Sequence, residues 1–135
     1  YNAVKVSLAE SAKDPNRYRK TQWHQDAVDR YERQQAGTSK PYEMELHVLR
    51  LGDIAIATND FELFTNYGIQ MKARSRALQT FVIQLAGPGT YVPTAVAAQG
   101  GGYSAIVESN VVGPEGGQLL TERTIEAING LWPAP

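Results

Sequence analysis

The sequence contains no cysteine, which excludes a disulfide framework and a thiolate metal site. It has two histidines, His24 and His47, too few for a metal centre built on imidazoles from this chain alone. No apolar run approaches the roughly 20 residues that a membrane-spanning helix needs. No basic-then-apolar leader is visible. Neither charge is in excess: 13 Lys plus Arg against 14 Asp plus Glu leave a formal net charge of -1. That balance gives no support for binding nucleic acid by neutralising phosphates. The lack of cysteine does not choose a compartment, and secretion or periplasmic export would need a leader elsewhere in a longer chain.

What is present is ordinary globular material. Hydrophobic residues make up 42% and charged residues 20%, which excludes a disordered or collagenous chain. A length of 135 residues fits one compact domain or a piece of a larger one. The start, Tyr1-Asn2-Ala3 without Met, reads as a segment of a longer chain.

The pattern along the chain predicts an α/β fold. Val4, Val6 and Leu8 alternate, which suggests a short strand within residues 1–13. Asp14-Pro15 reads as an N-cap and first helical residue, opening a helix to about Gln35 with Trp23, Ala27, Val28 and Tyr31 on one stripe. Gly37, Ser39 and Pro41 break it. Tyr42, Met44, Leu46 and Val48 then alternate with Glu43, Glu45 and His47, a half-buried strand. Gly52-Asp53 turns the chain into Ile54–Ala57, which reads as a strand covered on both faces. Asn59 stands where a helix cap would sit, with Glu62 as its capping-box partner and the helix running to about Arg74. Gly68 within it suggests a close packing contact. Thr80–Leu85 reads as the next strand, so strand, helix and strand form a βαβ unit. Residues 86–117 are rich in glycine loops, with a short helix near 94–99 and a short strand near 104–107. A last helix over about 115–130 places Leu120, Thr124, Ala127, Ile128 and Leu131 on one face. The expected architecture is a mixed sheet with a hairpin, a βαβ unit and long Gly-rich loops, flanked by helices.

Few residues are candidates for chemistry. His24 and His47 read as surface histidines with no partner at ligand spacing. No serine has the strand-turn-helix context of a nucleophile elbow. Gly100-Gly101-Gly102 lacks the Lys and Ser/Thr of a phosphate loop and reads as a tight turn. Glu62 follows a buried strand, at the kind of sheet end where α/β ligand crevices form; it is either a functional acid or a capping partner. Tyr103 follows three glycines that allow close backbone approach; it is either a hard oxygen ligand or a packed ring with a bonded hydroxyl.

Several runs together bear a family likeness. Leu51-Gly52-Asp53-Ile54-Ala55-Ile56-Ala57, then Glu62 and Gly68, then Tyr91-Val92-Pro93-Thr94, Gly101-Gly102-Tyr103 and Gly113-Pro114-Glu115 succeed one another over residues 45–131. This succession resembles the neutral, non-lysosomal ceramidase family, in its divergent bacterial branch. The resemblance implies a C-terminal portion of a zinc-dependent amidase domain, which in that family cleaves ceramide to sphingosine and a fatty acid. It implies Glu62 and Tyr103 as the glutamate and tyrosine ligands of the zinc. The family's histidine ligands and serine nucleophile lie upstream of the matched region and are not transferred to His24, His47 or any serine here. Ser104 stands where the family often has Glu. The expectation is thus part of a zinc-dependent amidohydrolase acting on a lipid amide, completed by an upstream half and inactive as this chain alone. The alternatives are a self-contained binding or structural domain, and a same-family hydrolase of another amide or ester.

Overall fold

The computed structural model describes residues 1–133. The chain divides into two compact units, residues 1–41 and a second that begins at Tyr42. The fold is α/β, as the pattern implies.

The first unit is helical. Helix α1 (Asn2–Ser11) is followed by a 3-10 turn (Pro15–Arg17) and by α2 (Tyr18–Gln35), which packs against α1. The strand expected within residues 1–13 is therefore a helix. Val4, Ser7, Leu8 and Ser11 are its less exposed residues, at helical rather than strand spacing, while Val6 is exposed. Asp14 caps the 3-10 turn, its side chain accepting from the Asn16 N–H at 3.0 Å. Tyr1 stacks on Tyr31 with ring centroids 4.3 Å apart, and its hydroxyl donates to Glu32 at 2.7 Å. His24 is only 4% exposed, which corrects the reading of a surface histidine. It shares a buried stripe with Ala27 and Val28, at i+3 and i+4, and its ring lies 5.3 Å from that of Trp23.

In the second unit, β1 (Val48–Leu51) and β2 (Ile54–Thr58) form the expected hairpin, with Gly52 at φ +59° in its turn. Met44, Leu46 and Val48 are less exposed than Glu43, Glu45 and His47, but Tyr42 is exposed and only Val48 of that stretch lies in a strand. After β2 come β3 (Glu62–Leu63), α3 (Thr65–Arg74) and β4 (Gln79–Ile83). Strand β4 pairs parallel with β2, so the sheet order is β1-β2-β4 and the βαβ unit stands. The sheet is covered on one face, not two. Ala55 and Ala57 are buried, whereas Leu49, Leu51, Ile54, Phe81 and Ile83 lie exposed on the opposite face.

The remaining elements are β5 (Tyr91–Val92), α4 (Ala95–Gly100) and α5 (Pro114–Asn129). Gly113 and Pro114 open α5 as expected, with Pro at its first position. Helix α4 is capped by the Thr94 side chain, which accepts from the Ala97 N–H at 3.2 Å. The strand expected near 104–107 is instead a pair of 3-10 turns, Tyr103–Ala105 and Val107–Ser109. Helix α5 packs on α3 and reaches β1, β2 and β5. Ile128 of α5 meets the small side chains of Ala55 and Ala57, while Phe61, Leu63, Tyr67, Met71, Val92 and Ile125 form the larger core cluster. Arg50 fixes the end of α5: it donates to the Leu131 carbonyl at 2.7 Å and lies 4.2 Å above the Trp132 ring.

Candidate functional site

Glu62 is not a capping residue. Helix α3 begins only at Thr65, and its N-cap, Phe64, makes no side-chain cap. The Asn59 side chain instead accepts from the Phe61 N–H at 3.0 Å, a local turn that releases the chain into extended backbone. The amides that follow bond to residues twenty and more positions later. Glu62 N–H donates to the Thr90 carbonyl at 3.0 Å, Leu63 N–H to the Gln84 side chain, and Phe64 N–H to the Val92 carbonyl at 3.2 Å. The 87–89 loop closes over this segment, and a Cβ on Gly89 would overlap the Asp60 carbonyl. These long-range bonds satisfy the donors that a helix start would have left open, so no helix forms there.

The short sheet so made sets the site. Strands β3 and β5 pair parallel, with Glu62 opposite Tyr91 and Leu63 opposite Val92. Leu63 and Val92 are buried in the core; Glu62 is exposed and Tyr91 half-buried on the other side. The neighbouring Glu62 carboxylate, then partial burial, then the charge of Tyr103 hold the Tyr91 phenol above its ordinary pKa.

Tyr103 meets the same tyrosine from a different part of the chain. Its ring and that of Tyr91 sit edge to face, with centroids 5.9 Å apart and planes at 78°. Gly101 and Gly102 precede it at φ +74° and +97°, backbone that only glycine adopts readily. The glycine run is thus the tight turn expected of it, and it leaves Tyr103 67% exposed. Asn110 ties this turn to the strand: its amide donates to the Tyr91 carbonyl at 3.1 Å and to the Ser104 carbonyl at 3.0 Å.

Glu62 and Tyr103 are therefore both neighbours of Tyr91. Tyr91 and Asn110 carry the arrangement, and sequence reading missed both as site residues. The register of a two-residue parallel pair and a long-range side-chain bond leave no local pattern. Tyr91 was visible only as part of the Tyr91-Val92-Pro93-Thr94 run.

A carboxylate and a phenol are hard oxygen donors suited to a divalent cation. A catalytic zinc site ordinarily takes three protein ligands, most often including imidazole. The pair fits as a partial set. Among the described residues no three His, Cys, Asp or Glu side chains converge as a metal cluster. His47 is exposed, as expected, with its Nε2 3.1 Å from Glu45 Oε2. No helix among the described residues is long and apolar enough to cross a membrane.

Comparison of the chain with protein-family models, with curated proteins and with solved structures gives no match.

Proposed function

We propose that the chain is part of a zinc-dependent amide hydrolase of the neutral-ceramidase kind, with Glu62 and Tyr103 as two oxygen ligands of the metal. The observation that carries this reading is that one residue, Tyr91, has Glu62 opposite it in the parallel register and the Tyr103 ring against its own. A second observation supports it: the alternative explanation of Glu62 as a helix cap has no helix start to act on.

In this reading the residues of the chain bind and orient. Glu62 offers an anionic carboxylate at an exposed strand end. The Gly101–Gly102 turn presents Tyr103 at the surface, where further ligands and a lipid amide substrate have access. Zinc, when bound, would supply Lewis-acid polarisation of the amide carbonyl. The imidazole ligands and the attacking group belong to the upstream half of the catalytic domain in this reading. His24 is buried in the helical unit and His47 is engaged with Glu45.

The exposed apolar face of the β1-β2-β4 sheet favours a second reading, a non-catalytic binding domain, because apolar sheet faces of this kind mark interaction surfaces. Two measurements separate the readings. Zinc is titrated into the 135-residue chain and its Glu62→Gln and Tyr103→Phe variants, followed by NMR shifts of those side chains. Hydrolysis of a fluorescent ceramide analogue is assayed for the chain and for a longer product carrying the upstream half. The metal reading expects weak zinc binding that both substitutions abolish, no turnover by the chain, and turnover by the longer product that Glu62→Gln removes. Zinc shifts indifferent to both substitutions would overturn it. Comparable turnover by the isolated chain would overturn the assignment of the missing ligands.

A further inference from the structure

The β1-β2-β4 sheet carries its larger apolar side chains on the outside. Its registers align Leu49 with Ile56 and Phe81, and Leu51 with Ile54, on one face, where Ile83 stands beside Thr58. The other face aligns Val48 with Ala57 and Val82, and Arg50 with Ala55 and Thr80. Helices α3 and α5 cover that inner face. The outer face leaves Leu49 57%, Leu51 64%, Phe81 48% and Ile83 46% exposed. These exposures are those of the whole chain, so no element among the described residues covers it. A sheet meant to be wet on one side puts polar residues there, and a parallel pair such as β2 and β4 is ordinarily covered on both faces.

We infer that this face is the interface of a symmetric dimer, in which a second copy of the chain stacks its own β1-β2-β4 sheet on it. The inference goes beyond the metal reading and does not rest on it.

Charge selects the occupant. No outward side chain of the three strands is charged, and only Thr58 and Gln79 are polar. Two such faces meet without like-charge repulsion. The same lack leaves nothing by which to choose a different protein, since charge and polar pattern are what discriminate partners. The face also has no Lys, Arg, Trp or Tyr to anchor it at a lipid headgroup layer.

Shape and area agree with this occupant. Sheet faces stack on one another about 10 Å apart, with strands within about 30° and side chains interdigitated. A two-fold axis needs a self-complementary patch, and a uniformly aliphatic face is one. The six apolar side chains of the face are flanked by Leu78 and Leu85 at the two ends of β4, 87% and 58% exposed. A pair of such faces comes near the lower bound of about 1,000 Å² in total for a specific interface. The dimer is therefore one of micromolar affinity rather than an obligate assembly.

The test uses the 135-residue chain without metal. Sedimentation equilibrium is expected to show the mass rising from 14.8 kDa towards double that value across the micromolar range. Phe81→Glu and Leu49→Glu change exposed positions, so each is expected to keep its melting temperature as a monomer. Each is expected to raise the dissociation constant about tenfold or more, the scale of losing a central apolar contact. Val96→Glu on α4, 79% exposed and away from the sheet, is expected to leave it unchanged. A second measurement needs no variant. In a sample mixed from labelled and unlabelled copies, cross-relaxation is expected between the Phe81 ring of one copy and the Leu49, Ile54 or Ile56 methyls of the other. A monomer at every concentration overturns the inference, as does a dimer that lacks these cross-copy contacts and ignores both substitutions on the face. A monomer that binds phosphatidylcholine vesicles, and is released from them by Phe81→Glu, also overturns it and gives the face to lipid. Zinc has no part in any of these readouts, so the metal reading stands or falls separately.

Discussion

The Tyr67 hydroxyl donates to the Pro93 carbonyl at 2.8 Å and reaches the Pro114 carbonyl at 3.2 Å. One side chain of α3 thereby holds both the segment that follows β5 and the first turn of α5. Burial, and secondarily the charge of Glu115, keep its phenol above the ordinary pKa, so it stays a donor through the neutral range. Tyr67→Phe leaves the ring in the core and strips a donor from a buried carbonyl. The expected cost is about 1–3 kcal/mol, read as a lower melting temperature in a thermal scan. An unchanged melting temperature would show that solvent replaces the hydroxyl.

The same ring makes one glycine indispensable and leaves another free. A Cβ on Gly117 would lie 2.5 Å from the Tyr67 ring and 2.7 Å from Val92, inside any permitted contact. A Cβ on Gly68 would meet nothing within 4 Å. The close contact expected at Gly68 is thus found at Gly117. Gly117→Ala is expected to destabilise by about 1–3 kcal/mol through overpacking, although alanine is the better helix former. Gly68→Ala is expected to stabilise by up to about 1 kcal/mol through propensity alone. Denaturant midpoints of the two variants should move in opposite directions.

Glu62→Gln should leave the melting temperature of the metal-free chain essentially unaltered, because no helix cap is lost. Asn110→Ala should behave differently. It frees two carbonyls, at Tyr91 and Ser104, and uncouples the strand from the turn. Hydrogen exchange would then rise at residues 103–110 while α3 and α5 stay protected. Equal exchange in both variants would remove Asn110 as the link.

The pair Arg74–Glu122 supplies a pH-dependent contribution. Both guanidinium nitrogens lie 2.6 Å from the carboxylate oxygens. Hydrogen bonds from Arg74 and then Gln118 hold the Glu122 carboxyl below its ordinary pKa. A depressed folded-state pKa means stability that is full above about pH 4.3, the unfolded value, and lost as pH falls through the folded one. Glu122→Gln should therefore lower the melting temperature slightly at pH 7 and have no effect at low pH. Because the pair is solvent-exposed, added salt should shrink the difference.

Much of the fold was legible in the chain because its signals are local. Gly52-Asp53 marks the β1–β2 hairpin, the apolar runs mark β2 and β4, and Gly113-Pro114 marks the start of α5. Where two periods coincide, the sequence was ambiguous. Val4 and Leu8 fit both a strand and a helix, and the helix formed, with Ser7 and Ser11 completing its stripe.

The place of Glu62 was decided by tertiary structure alone. By sequence, Asn59 followed by Glu62 is a good helix start. In the folded chain the amides of residues 62–64 find Thr90, Gln84 and Val92, partners that no local window contains. Those bonds turn a capping glutamate into an exposed strand residue opposite Tyr91. The approach of Tyr103 is of the same kind, since it depends on Asn110 bonding to two segments at once. Residue type and spacing determined by themselves which elements form and which residues have oxygen donors to offer. Long-range hydrogen bonding decided which of those donors meet, because a buried backbone donor takes whichever acceptor the whole fold brings within reach.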